Sequence, residues 1–141
     1  MVHIAIKKLE LNEFYGEHDR NQHCRATFPL LGAHGAKDCA TVYFEIEPGE
    51  QLGRHTDSAE EILFIVDGKV EVEIDGETEM AEAGSLTLVP EMLPHNVFNK
   101  GNETARVIGF FGGANNIVTT FEQVLVPIQT RVVDTAKLGQ A

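Results

Sequence analysis

Apolar and polar residues alternate with a period of two through the middle of the chain. Across residues 38–47 the even positions Ala40, Val42, Phe44 and Ile46 are apolar and the odd ones mostly polar. Residues 69–74 repeat the pattern, with Val70, Val72 and Ile74 on one side and Lys69, Glu71 and Glu73 on the other. Such alternation predicts half-buried strands. Residues 62–66 are apolar at every position, which predicts a strand buried on both faces. Residues 85–89, 97–98 and 104–111 continue the series, and Asp75-Gly76 is a strong two-residue hairpin signal. Turn glycines at 68, 76 and 84 recur every eight residues, a hairpin length. No segment carries a three-turn amphipathic helix, so the pattern predicts an all-β antiparallel barrel or sandwich rather than βαβ units.

The flanks are less regular. Residues 12–37 are polar and hold His18, Arg20, His23, Arg25 and His34 around one apolar island at 26–31. They read as a long loop covering the body, in which His18, His23 and His34 are surface or lid residues. The alternation of Ile4, Ile6 and Leu9 reads as an N-terminal strand able to pair with a neighbour's sheet edge. The expected organisation is therefore an N-terminal strand and loop at 1–37, a barrel at 38–128 and a tail at 129–141.

A chain of 141 residues is one domain's worth of protein. Its 22 acids against 11 bases give a formal net charge of −11, which argues against a nucleic-acid partner or an anionic membrane surface. No apolar run reaches membrane-spanning length, and the first residues lack the apolar core of a signal peptide. Cys24 and Cys39 form no C-x-x-C pair and read as free thiols of a cytoplasmic protein. Ten of the 22 acids fall between Asp57 and Glu82. Glu71, Glu73, Glu77 and Glu79 among them read as the solvent side of one hairpin, Asp67 and Asp75 as turn residues, and Glu60 and Glu82 as exposed charge. Asp57 and Glu61 remain.

Those two acids stand in the segment of most chemical interest. His55 and Asp57 are two apart, so a strand sends both side chains from one face. Glu61 opens the next strand after a short turn, and His95 follows Pro90 and Pro94 on a separate element. Imidazole and carboxylate together suit Fe(II), Mn(II), Ni(II) or Zn(II). Cys24 beside His23 lacks any oxyanion-hole motif for nucleophilic catalysis, and Gly112-Gly113 precedes no helix that would cradle a phosphate.

At these positions the sequence resembles the cupin superfamily. The first family motif, G-x5-H-x-H-x3/4-E-x6-G, is matched by Gly49, His55, Glu61 and Gly68. The second, G-x5-P-x-G-x2-H-x3-N, is matched by Gly84, Pro90, His95 and Asn99, fifteen residues further on. Asp57 stands where the family usually has its second histidine, and Met92 where it has a glycine. The resemblance implies a double-stranded jelly-roll barrel with irregular N- and C-terminal extensions, a homodimer, and one divalent metal held by His55, Glu61 and His95. Asp57 is then a further ligand, a second carboxylate that binds through water or orients His55, or a catalytic base. The leading functional expectation is a metal-dependent, dioxygenase-like oxidoreductase acting on a small organic substrate. The alternatives are a non-catalytic sensor, carrier or storage protein, and an assembly module with a barrel mouth closed by Phe and Met side chains.

Overall fold

The computed structural model describes residues 1–138. Its strands are β1 (Asn12–Gly16), β2 (His23–Thr27), β3 (Cys39–Ile46), β4 (His55–Asp57), β5 (Glu61–Asp67) and β6 (Lys69–Ile74). They continue with β7 (Glu77–Glu82), β8 (Leu86–Val89), β9 (His95–Asn99), β10 (Ala105–Gly112), β11 (Val118–Val126) and β12 (Thr130–Asp134). One antiparallel sheet runs in the order β7-β6-β9-β4-β11-β1-β2-β3-β10-β5-β8, with β12 paired to β11. It curls into a nearly closed jelly-roll barrel: the alternation predicted an antiparallel barrel or sandwich, and the family resemblance implied the jelly roll.

The inner rows of the strands form the core. Ile46, Ile65, Val70, Val97, Ala105 and Val107 are 0% exposed, and burying each of the isoleucine and valine side chains contributes about 1.5–3 kcal/mol relative to leaving it in water. At the Asp75-Gly76 turn both residues take positive φ, 48° and 89°, the geometry a two-residue hairpin requires. Asn99, the last motif residue, locks the other end of that sheet. Its amide donates to the Ile46 and Glu103 carbonyls, and its oxygen accepts from Gly101 N–H.

Several expectations need correction. Residues 12–27 are no loop but the hairpin β1–β2, built into the barrel wall with Phe14 opposite Cys24 and Asn12 opposite Ala26. Its alternation escapes notice because the inward residues Cys24 and Ala26 are small and the outward ones, His23 and Arg25, are charged or titratable. No strand forms in residues 1–11; Ile6–Lys8 is a 3-10 turn, so Ile4, Ile6 and Leu9 offer no strand edge to a neighbour. The C-terminal tail is ordered as β12 as far as Asp134, with a 3-10 turn at Thr135–Lys137, because Thr130–Asp134 completes the ladder of β11. Residues 139–141 of the expected tail lie outside the described residues.

Strand β5 buries only alternate residues. Glu61, Leu63 and Ile65 point inward, while Ile62 is 43% exposed on the outer face. Beside it on that face stand Phe110 of β10 and Leu86 and Leu88 of β8, all exposed, with Ile62 in register with both Phe110 and Leu88. Glu73 is half-buried rather than solvated, with Arg54 3.6 Å away. Cys24 and Cys39 are free thiols. No helix among the described residues is long and apolar enough to cross a membrane.

Candidate metal centre

Pairing of β4 with β9 sets His55 directly opposite His95. The ladder between β4 and β11 places Asp57 opposite Thr119 and His55 opposite Phe121. Glu61 enters from β5. All four carboxylate and imidazole side chains are buried, between 1% and 5% exposed, so the four residues singled out in the sequence do meet.

Both histidines are oriented by backbone carbonyls. His55 Nδ1 lies 2.7 Å from the Gly53 carbonyl oxygen and His95 Nδ1 lies 2.9 Å from that of Leu93. A carbonyl only accepts, so each Nδ1 carries a proton and each Nε2 faces the interior, where the neutral ring offers a lone pair. Asp57 is fixed likewise. Thr119 donates its hydroxyl to Asp57 Oδ1 at 2.6 Å, leaving Oδ2 free. Asp57 Oδ2 stands 3.1 Å from His95 Nε2 and 3.6 Å from His55 Nε2. Neither Oδ2 nor His95 Nε2 has a hydrogen-bond partner, although both are buried.

Buried polar atoms without partners cost on the order of 1–3 kcal/mol each. A proton shared across the 3.1 Å between His95 Nε2 and Asp57 Oδ2 would satisfy both atoms, and so would a cation. Ligand atoms of His55, Asp57 and His95 lie within 4.8 Å of one another, a span a single ion can bridge. The donor set of two imidazoles and a carboxylate suits a divalent transition metal. Glu61, an expected ligand, stands just outside this group of three, with Oε1 3.5 Å from His95 Nε2. Its carboxylate occupies space that exists only because residue 109 is glycine. A Cβ on Gly109 would collide with Glu61 Oε2 and come within 2.8 Å of Val42 Cγ1.

The electrostatics reflect crowding in a dry site. Burial holds the His55 imidazole down at about 4, against the pull of Asp57. Burial raises Glu61 to about 7. His95 resists burial because the Asp57 and Glu61 carboxylates flank it, which lifts it to about 10. For Asp57, burial opposes ionisation and is outweighed by His95 and His55, so its carboxyl stays below the usual range.

The cluster forms one wall of a chamber inside the barrel. The chamber holds about 730 Å³ of space free of atoms, its mouth included. Phe14, Phe28, Phe44, Phe111 and Phe121 line it, and no lysine, arginine or methionine among the described residues does.

Sequence reasoning missed three positions. Thr119 and Gly109 gave no local signal, because their partners Asp57 and Glu61 are distant along the chain. Gln22 also lines the chamber. Met92 adopts φ 61°, the left-handed conformation that explains why the family motif has glycine there. His23, expected on a surface loop or lid, is 8% exposed and held by Glu50 at 2.7 Å and Glu13 at 2.9 Å. None of His3, His18, His23 and His34 lines the chamber.

Comparison with known proteins places these features. A family model described as "Cupin domain" matches residues 42–111. Polyketide synthase CurC of Streptomyces cyaneus is 34% identical over 64 residues, 45% of this chain and 42% of that protein, so the chain spans less than half the length of this relative. The polyketide cyclase RemF of Streptomyces resistomycificus superposes with a TM-score of 0.64 at 16% identity, covering 79% of each chain. Oxalate decarboxylase of Lactobacillus farciminis, in a formate complex, superposes with a TM-score of 0.72 at 18% identity, covering 84% of this chain and 35% of that one. At these identities the two structural likenesses speak for the fold.

Proposed function

Because the chain belongs to the cupin superfamily, we propose that its barrel is the site of a metal-dependent enzyme acting on an uncharged, largely apolar organic molecule. The observation that carries this reading is the convergence of His55, Asp57 and His95, with both Nε2 atoms turned inward by backbone carbonyls. A divalent ion held there would supply Lewis acidity toward a substrate oxygen. Thr119 holds Asp57 in place through Oδ1, and Glu61 puts a second carboxyl group beside His95.

The chamber supports a substrate class. A wall of phenylalanines without a cationic side chain favours a planar, conjugated molecule and disfavours a small dianion or a phosphate ester. Similarity to Polyketide synthase CurC points the same way. The reaction is then proton transfer next to a carbonyl, of the kind that precedes ring closure. Oxygen insertion, the chemistry expected of the motif set, is the competing reaction on the same ligands. An assembly role finds less support, since the phenylalanines line the chamber without closing it.

Two measurements test this. Protein loaded separately with Fe(II), Mn(II), Ni(II) or Zn(II) and then dialysed is expected to retain near-stoichiometric metal, and His55→Ala and His95→Ala to lose it. Retention of less than a tenth of an equivalent of every metal in the parent protein refutes the metal reading. The loaded protein is then incubated with an aromatic 1,3-diketone in deuterated water, with and without oxygen. Deuterium exchange faster than in protein-free solution under both conditions supports proton transfer, oxygen consumption supports the dioxygenase, and binding without either supports a carrier.

The homodimer belongs on the outer face of β10, β5 and β8. Ile62, Leu86, Leu88 and Phe110 are uncharged, and on a chain of net charge −11 such a face lets a second copy approach without carboxylate repulsion. The cytoplasm remains the expected compartment, in keeping with two unpaired thiols.

A further inference from the structure

Among the described residues lining the chamber, Gln22 is the one side-chain amide, and it stands apart from His55, Asp57, Glu61, His95 and Thr119. It is 5% exposed, and its backbone is fully engaged, the N–H with the Asp19 carbonyl and the carbonyl with Gly16 N–H. Its side-chain Nε2 is buried and has no partner.

The orientation of that amide follows from its neighbours. The backbone N–H groups of His18 and Asp19 both donate to Gln123 Oε1, at 2.9 and 3.3 Å. Gln123 must therefore turn Nε2 toward Gln22, where it donates to Oε1 at 2.7 Å. With its oxygen engaged, Gln22 presents Nε2 as a donor. Two glycines make room for this relay. A Cβ on Gly16 would come within 2.5 Å of Gln123 Cδ, and one on Gly53 within 2.7 Å of Gln22 Oε1. Gly53 is also the residue whose carbonyl orients His55, so the amide is packed against the loop that carries a metal ligand.

We propose that Gln22 Nε2–H is the hydrogen-bond donor that reads a carbonyl oxygen of the substrate in the apolar chamber, its direction set by Gln123. The proposal rests on the reading of the chamber as a substrate site, and it adds a specificity residue separate from the metal. A donor in a phenylalanine-lined space discriminates sharply, because a ligand lacking the oxygen leaves the donor unpaired.

The test uses two probes of one shape, 2-acetylnaphthalene and 2-isopropenylnaphthalene, which differ in a carbonyl oxygen against a methylene group. Their affinities for metal-loaded and metal-free protein are measured by calorimetry. The parent protein is expected to bind the ketone about tenfold more tightly than the alkene, the discrimination of one buried hydrogen bond. Gln22→Met, which keeps length and removes the donor, is expected to abolish the preference. Gln123→Glu lies outside the lining and offers only acceptors, so it should turn the Gln22 amide over and abolish the preference while leaving alkene affinity within about twofold. It decides the matter alone if Gln22→Met fails to fold. Equal binding of both probes by the parent protein, no binding of either, or a preference that survives both substitutions overturns the proposal. Parent protein that prefers the ketone yet retains no metal refutes the metal reading alone, and metal-loaded protein without the preference refutes this one alone.

Discussion

Replacing Gly109 with alanine is the most direct perturbation of the candidate centre, because it adds one methyl group and touches no ligand. Gly109 sits mid-strand in β10 with an ordinary φ, so alanine is compatible with the backbone and on propensity alone would be neutral or better. The new Cβ would overlap Glu61 Oε2, lie 3.0 Å from Glu61 Cδ and 2.8 Å from Val42 Cγ1, where carbon neighbours need about 3.5–4.0 Å. Glu61 is 3% exposed, so its carboxylate has no water to retreat into and must move toward His95 or push β3 and β10 apart. Overpacking of this kind costs about 1–3 kcal/mol, and each kcal/mol lowers the melting temperature by about 2–4 °C in a domain of this size. Disturbing a carboxylate beside a metal ligand should also weaken metal retention by about 10–100-fold. Thermal denaturation and competition with a chelator read the two effects. The pairing is checked by the double variant Gly109→Ala/Glu61→Ala, whose destabilisation should fall short of the two single effects added together, since the shortened side chain vacates the space. An unchanged or raised melting temperature with unchanged metal retention in Gly109→Ala, or strict additivity in the cycle, would refute the reasoning.

Other consequences can be read more briefly. His23 is buried, which opposes its charge, but hydrogen bonds to Glu13 and Glu50 outweigh this and raise its pKa above 6.5. A raised histidine contributes stability fully below its unfolded value and loses it as pH climbs through the folded one. The melting-temperature gap between the parent protein and His23→Gln should therefore be widest near pH 6 and shrink toward pH 9; a gap that grows with pH contradicts the assignment. Met92→Gly relieves a left-handed residue at a cost in chain entropy and should stabilise the fold by up to about 1 kcal/mol, seen as a higher melting temperature. Leu86→Glu, placing charge on the apolar outer face, should convert a dimer to a monomer in light scattering with the melting profile of the barrel retained.

Much of the barrel was legible because its signals are local. Val70, Val72 and Ile74 alternate with charges on a strand whose hairpin turn is announced by Asp75-Gly76, and no distant residue is needed to see it. The motif spacing likewise carried His55, Asp57, Glu61 and His95. The β1–β2 hairpin was hidden, because its inward side is made of Cys24 and Ala26 and its outward side includes His23, an imidazole that the fold buries between two carboxylates. The N-terminal alternation misled in the opposite sense, since Ile4 and Ile6 have the period of a strand but find no strand to pair with.

The sequence by itself determined the all-β architecture, the turn positions and the identity of the residues that can bind a metal. Period-two patterning and fixed motif spacings act over a few residues and survive whatever the rest of the chain does. Tertiary structure alone decided the state of that centre. Thr119 reaches Asp57 across 62 positions and Gln123 reaches Gln22 across 101. Gly109 yields its volume to Glu61 across a strand pair. These relations arise when β11 closes on β4 and β1 and β10 on β5, because only barrel closure gives distant residues a shared interior from which water is excluded.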